Sequence, residues 1–140
     1  MSVVKSKQSI GKLAAITKAR ELAEYTLRIC ANEKTFPKRY RWCFTSKIVD
    51  SAMNINNDVN MANSIYIRDE TDYMLRKQYQ TRALAETYAL LSMVDIAYRT
   101  YSLETARVEY WTRLIYDVQN IIRSWRKSEI EKHDKENIGQ

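Results

Sequence analysis

The sequence predicts an all-α fold, an antiparallel up-and-down four-helix bundle, and three observations lead there. The 140 residues hold only 2 Gly and 1 Pro. Both residue types punctuate turns and interrupt helices, so their scarcity predicts long helices joined by few loops. Apolar residues recur three, four or seven positions apart in separate stretches, the pattern of a helix with one buried face. The connections between these stretches are short, and amphipathic helices so joined cover their stripes most simply as antiparallel neighbours. A chain of this length forms one domain around a single core.

The first helix is read in "GKLAAITKARELAEYTLRICAN", where Leu13, Ile16, Ala23, Leu27 and Cys30 fall on one face, and Asn32 to Thr35 close it. Pro37 suits the first turn of the second helix, because its missing N–H is unpaired there anyway and its ring fixes φ near the helical value. Phe44, Ile48, Ala52, Ile55, Val59 and Ala62 then form a seam down to Asn63. The other faces carry Asn54, Asn56, Asn57, Asn60 and Asn63; asparagine is a mediocre helix former, so packing must hold this helix together.

The acidic residues of Asp69 to Asp72 favour the N-terminus of a third helix, which runs through Leu75, Tyr79, Ala83, Leu90, Val94, Ala97 and Tyr101. Ser102 reads as the N-cap of the fourth, with Glu104 in its first turn. Val108, Trp111, Leu114, Ile115, Val118, Ile121, Ile122 and Trp125 make its seam. Beyond Lys127 the sequence is polar and without apolar periodicity. The expected organisation is an N-terminal arm over 1–12, the bundle over 13–127 and a flexible polar tail over 128–140.

Several function classes fall away. No apolar run approaches the roughly 20 residues of a membrane span, and "MSVVKSKQSIGK" lacks the long apolar segment of a secretory signal, so the expected location is cytoplasmic, with no membrane partner. Cys30 and Cys43 are too few for a disulfide framework and are not spaced as metal ligands; they read as free, buried thiols. The single histidine, His133, lies in the expected tail, which leaves nucleophilic triads without a fixed base. Ile130, not Glu, stands three residues before it, so the Glu-x-x-His pair of carboxylate di-metal bundles is missing. Gly11 and Gly139 cannot make a phosphate-cradling loop. The chain reads as a non-enzyme with no catalytic residues, metal or cofactor.

Charge is more informative. Lys and Arg number 23 against 17 Asp and Glu, a formal net charge of +6, which permits association with phosphate backbones or acidic partners. One cluster is Lys34, Lys38, Arg39, Arg41 and Lys47. A second is Arg68, Arg76, Lys77 and Arg82, and a third is Arg123, Arg126 and Lys127 at the expected end of the last helix. Helix capping explains the third cluster and an ordinary solvated face the second. The first opposes the helix dipole, because cations crowd a helix start where Asp or Glu would be favoured. Within "TFPKRYRWCFTSK" no acidic residue interrupts it. Tyr40 and Trp42 can stack on unpaired bases while the cations meet phosphates. Equally, Phe36, Tyr40 and Phe44 at four-residue spacing fit a core stripe.

"ARELAEYTLRICANEKTFPKRYRWCFTSKIVDSAMNINNDVNMAN", followed by "EYWTRLIYDVQNIIRSW", resembles the accessory variability determinant family, the four-helix-bundle accessory proteins of diversity-generating retroelements. It is also similar to the related bundle proteins encoded by intervening sequences in bacterial large-subunit ribosomal RNA genes. The resemblance spans roughly Thr17 to Lys127. It rests on the Phe36 to Arg41 run, the Met61-Ala62-Asn63 end of the second helix, Tyr110-Trp111 and Ser124-Trp125. It implies a homopentamer with a basic surface that binds a reverse transcriptase and its template RNA, or an RNA/DNA hybrid, during error-prone complementary-DNA synthesis. Lys38, Arg39 and Arg41 match the family's basic motif. Lys47, Arg76, Lys77, Arg82, Arg123, Arg126 and Lys127 are candidate nucleic-acid contacts by region.

Tyr25, Tyr88, Tyr98 and Tyr116 lie outside the four seams and are available for burial between subunits. The alternative function is a protein–protein adaptor or structural oligomer of the ribosomal-intervening-sequence type, with no reverse transcriptase partner.

Overall fold

The computed structural model describes the backbone of residues 3–138 and the side chains of residues 11–137. It is all-helical: α1 (Val3–Ala31), α2 (Ser46–Ser64), α3 (Glu70–Tyr101) and α4 (Thr105–Ile138), with no strand among the described residues. α1 packs against α2 and α4, and α3 packs against the same two helices. The core lies between all four, with Leu22, Ile48, Ile55, Leu90, Trp111, Ile115 and Ile122 fully buried. Each buried Leu or Ile of this kind contributes roughly 1.5–3 kcal/mol of transfer free energy.

The seams of α2 and α4 fall where periodicity puts them. Ile48, Ala52, Ile55, Val59 and Ala62 are buried on α2, and Trp111, Leu114, Ile115, Val118, Ile122 and Trp125 on α4, while Phe44, Val108 and Ile121 pack at the edge of the core. α1 differs from expectation. Its buried stripe is Ala15, Ala19, Leu22, Ala23, Thr26, Ile29 and Cys30, whereas Leu13 and Leu27 are 64% and 44% exposed. Small side chains on the true stripe let the helix axes approach closely, and counting large apolar residues points to the wrong side. α3 buries Ala83, Leu90, Val94 and Ala97 as expected, yet Leu75 faces out and Tyr73, Arg76, Gln80 and Thr87 are buried.

Asp69 caps α3, its carboxylate accepting the N–H of Asp72 at 2.9 Å. Ser102 is not the N-cap of α4. It sits in the left-handed region (φ 52°, ψ 47°) at the C-terminal end of α3, where such a residue commonly stops a helix. Glu104 takes over the start of α4, its carbonyl accepting the N–H groups of Arg107 and Val108 at 3.1 and 3.2 Å.

Both terminal expectations change. α1 already runs from Val3, so the expected N-terminal arm is helical over residues 3–12. α4 runs to Ile138, so residues 128–138 extend the bundle helix. The face that carries Trp125 continues at four-residue spacing as Glu129, His133 and Asn137. Glu129 accepts from Arg76, Gln80 and Trp125, and the His133 ring stacks on Tyr73 of α3 with centroids 3.7 Å apart. Hydrogen bonds and stacking hold these turns, so an apolar count misses them.

Of the cysteines, Cys30 is buried and Cys43 exposed, which corrects the expectation for the second. Burial pushes the Cys30 thiol up to about 12. Among the four tyrosines outside the seams, Tyr88 and Tyr116 are half exposed. Tyr25 instead donates its hydroxyl to the Arg107 carbonyl, and the Tyr98 hydroxyl pairs with that of Thr105.

Candidate nucleic-acid interface

The segment that joins α1 to α2 is built around Phe36. The Asn32 carbonyl accepts the N–H groups of Thr35 and Phe36 at 3.0 and 2.9 Å, and the turn drops Phe36 into the core at 2% exposure. There its ring meets Tyr101 and Trp111 edge-on at 5.7 and 6.2 Å. Pro37 is extended (φ −57°, ψ 133°) and precedes the helical region, a correction to its expected place in the first turn of α2. A tight turn of 3₁₀ helix over Lys38–Tyr40 follows, then one wide π turn over Arg41–Thr45, before α2 proper begins at Ser46.

This change of helical pitch sorts the aromatics. Tyr40 and Phe44 lean on Tyr101 at 5.5 and 5.9 Å between centroids, so with Phe36 they form the inward stripe. Trp42 stands off it and is 84% exposed. Lys38, Arg39, Arg41 and Lys47 are all exposed. Arg39 lies over the Tyr40 ring at 4.9 Å, and Arg41 approaches Glu33 at 3.6 Å. Among the described residues no carboxylate comes within ion-pair distance of Lys38, Arg39 or Lys47. The first turns of these helical pieces hold no acidic residue, so four cations face solvent at a helix start.

The remaining candidates separate. Arg76 is not a surface cation: its side chain is 8% exposed, and it bonds Glu129 and the carbonyls of Ala62 and Ile65. With its donors committed inside the fold it leaves the candidate set. Lys77 lies over the Tyr73 ring at 5.9 Å. Arg126 donates through Nε to the Thr81 hydroxyl at 3.0 Å, and Arg123 lies over Tyr88 at 5.6 Å. Lys77, Arg123 and Arg126 therefore share the outer face between α3 and α4. Arg123, Arg126 and Lys127 sit well inside α4, which ends at Ile138, so capping does not account for them.

Arg82 turns the other way, 3.8 Å from Asp58 on α2 and 5.6 Å over Tyr79. Burial raises the pKa of the Asp58 carboxyl, against the pull of Arg82, and Glu86 adds to the rise. Lys77 stands about 36 Å along α3 from Tyr101, at 1.5 Å per residue, and Tyr101 marks the end where Tyr40 and Phe44 pack. The basic segment before α2 and the α3–α4 face are thus two separate surfaces. One sequence signal marks Arg76 and is passed over by charge counting: it stands four residues before Gln80 and seven before Ala83, the spacing of the buried face of α3.

Among the described residues no three His, Cys, Asp or Glu side chains stand close enough to share a metal ion, and no helix is long and apolar enough to cross a membrane. No protein-family model, no curated protein and no solved structure matches this chain.

Proposed function

We propose that this chain is a non-enzymatic, nucleic-acid-binding accessory protein that holds template RNA for a reverse transcriptase in a diversity-generating retroelement, working in the cytoplasm. The observation that carries the nucleic-acid half is the exposed run Lys38, Arg39, Arg41 and Lys47 at the start of a helix, where four cations oppose the dipole and, among the described residues, only Arg41 meets a carboxylate. The polymerase half rests on the resemblance of the Phe36 to Arg41 motif and the flanking bundle sequence. In this reading the helices run antiparallel, up and down. Trp111 near the start of α4 bonding Thr26 near the end of α1 supports that arrangement, as does Glu129 near the end of α4 bonding Arg76 near the start of α3. The protein assembles as a homopentamer, and the half-exposed Tyr88, Tyr110 and Tyr116 supply aromatic surface for contacts between copies.

The test is the salt dependence of binding to a structured RNA. Each phosphate neutralised adds roughly 0.7–0.9 to the slope of log affinity against log salt, so Lys38→Gln/Arg39→Gln/Arg41→Gln should flatten it by about 2 at unchanged helicity. No binding at low salt would overturn the reading. Retention of a retroelement reverse transcriptase on the purified protein tests the polymerase half separately.

A second reading draws on a specific feature. Met61, Tyr66, Ile67, Met74 and Leu75 are exposed around the connection from α2 to α3, an apolar surface of the kind protein partners cover. An adaptor or structural oligomer without a reverse transcriptase would self-associate there and show no salt-sensitive RNA binding.

A further inference from the structure

We infer that Trp42 is a stacking platform for an unpaired base, so that the segment before α2 takes single-stranded nucleic acid rather than a duplex. This rests on the nucleic-acid reading above and names the strand form the same site accepts.

Trp42 stands apart from the other tryptophans. It is 84% exposed while Trp111 and Trp125 are 0% and 2% exposed, and a residue with so much apolar ring surface is normally buried for the most part. Its exposure follows from backbone geometry. The 3₁₀ turn hands over to a single π turn at Arg41, and the neighbouring rings of Tyr40 and Phe44 are drawn onto Tyr101. Single π turns of this kind recur at functional sites. Among the described residues no aromatic ring or cation lies against the Trp42 indole.

The surroundings choose the occupant. Arg41 adjoins Trp42 in sequence, and Lys38, Arg39 and Lys47 are exposed within five residues of it. Arg39 is itself positioned on Tyr40, which rests on Tyr101. A flat exposed apolar ring with exposed cations within five residues along the chain matches a strand whose bases offer π faces and whose backbone offers phosphates, the combination found where proteins hold single strands without reading sequence. A duplex keeps its base faces within its own stack, so it can use the cations and not the indole.

The experiment uses the exposed indole as its own reporter. The full chain is titrated at low salt with an oligouridine strand and with a blunt RNA duplex, each end-labelled, following the anisotropy of the label for every variant and tryptophan fluorescence where Trp42 is present. Wild type, Trp42→Phe, Trp42→Leu and the Lys38→Gln/Arg39→Gln/Arg41→Gln variant are compared, helicity being checked for each. The single strand should quench the exposed indole. Trp42→Leu should weaken single-strand binding by on the order of tenfold and leave duplex affinity and salt slope as they were. Trp42→Phe, which keeps a ring, should recover most of the loss.

Equal single-strand affinity in Trp42→Leu, with binding still steeply salt-dependent, would overturn the stacking role while the nucleic-acid reading stood. An emission shift that follows protein concentration without any nucleic acid, and that the strand does not reverse, would place the indole between copies of the chain and overturn it too. Absence of binding to either nucleic acid would overturn both readings.

Discussion

Arg76 on α3 and Glu129 on α4 form an ion pair of 2.6 Å with only 8% and 11% of their side chains exposed. Arg76 also donates through Nε to the Ala62 carbonyl at 3.1 Å and through Nη2 to the Ile65 carbonyl, which secures the end of α2. Glu129 in turn accepts from Trp125 and Gln80 at 3.0 and 3.3 Å. One buried pair therefore joins three helices at the end of the bundle remote from the basic segment. Lys12 of α1 lies close enough to be affected, its pKa lowered chiefly by burial and next by the Arg76 charge.

Removing one member of such a pair leaves the other charged and uncompensated, which costs about 3–5 kcal/mol, whereas replacing both with apolar residues is often near neutral. Arg76→Leu and Glu129→Leu should each destabilise the fold by about that much in urea unfolding. The double variant should lose less than the sum of the two, though more than nothing, because the carbonyls of Ala62 and Ile65 and the Trp125 N–H lose partners as well. Strictly additive losses would show that the pair is not coupled.

Thr26 and Trp111 make a second buried link, between α1 and α4. The indole N–H donates to the Thr26 hydroxyl at 3.0 Å, and that hydroxyl donates back to the Leu22 carbonyl at 2.7 Å. Both residues are 0% exposed. Thr26→Val preserves shape and strands the indole N–H, so thermal unfolding should report a loss of about 1–3 kcal/mol. Thr26→Ser keeps the acceptor and should lose less. If Thr26→Val cost no more than Thr26→Ser, the hydrogen bond would contribute no more than the single methyl that serine lacks.

His133 ties the last turns of α4 to the start of α3. Its Nε2 lies 2.6 Å from a Glu70 oxygen, and its ring stacks on Tyr73. The hydrogen bond to Glu70 raises the imidazole pKa above its ordinary 6.5, with partial burial opposing and Asp134 assisting. A folded-state pKa above the unfolded one means that the stabilisation is complete below the unfolded value and fades as pH rises through the folded one. The end of α4 should therefore hold best in mild acid and loosen above neutrality. An NMR titration should find His133 titrating above its ordinary value in wild type and returning toward it in Glu70→Gln. An identical titration in both would remove Glu70 as the cause.

What could be read in the sequence follows from side-chain size. α2 and α4 carry Ile, Val, Leu and Trp at regular spacing, and those residues are buried where the pattern places them. α1 is misread because Ala15, Ala19 and Thr26 face the core while Leu13 faces solvent; close helix approach rewards small residues that hydropathy scores low. α3 hides Arg76, Gln80 and Thr87, whose burial depends on partners in other helices. The basic segment is legible as a charge run. The 3₁₀-to-π handover that turns Trp42 outward and its neighbours inward is a tertiary outcome, imposed by the site Tyr101 offers to three rings.

The same contrast gives a decisive truncation experiment on α4. Residues 128–140 lack apolar periodicity, yet Glu129 and His133 within them are bonded to α3. Deleting 133–140 removes the His133 contact and keeps Glu129, so it should abolish the pH effect at little cost to stability. Deleting 128–140 also strands Arg76 in a buried position and should cost about as much as Glu129→Leu, some 3–5 kcal/mol. Urea unfolding of the two truncations separates the cases. If the longer deletion were as mild as the shorter, the segment would be the solvated tail that its composition suggests, and the Arg76–Glu129 pair would contribute nothing measurable to the bundle.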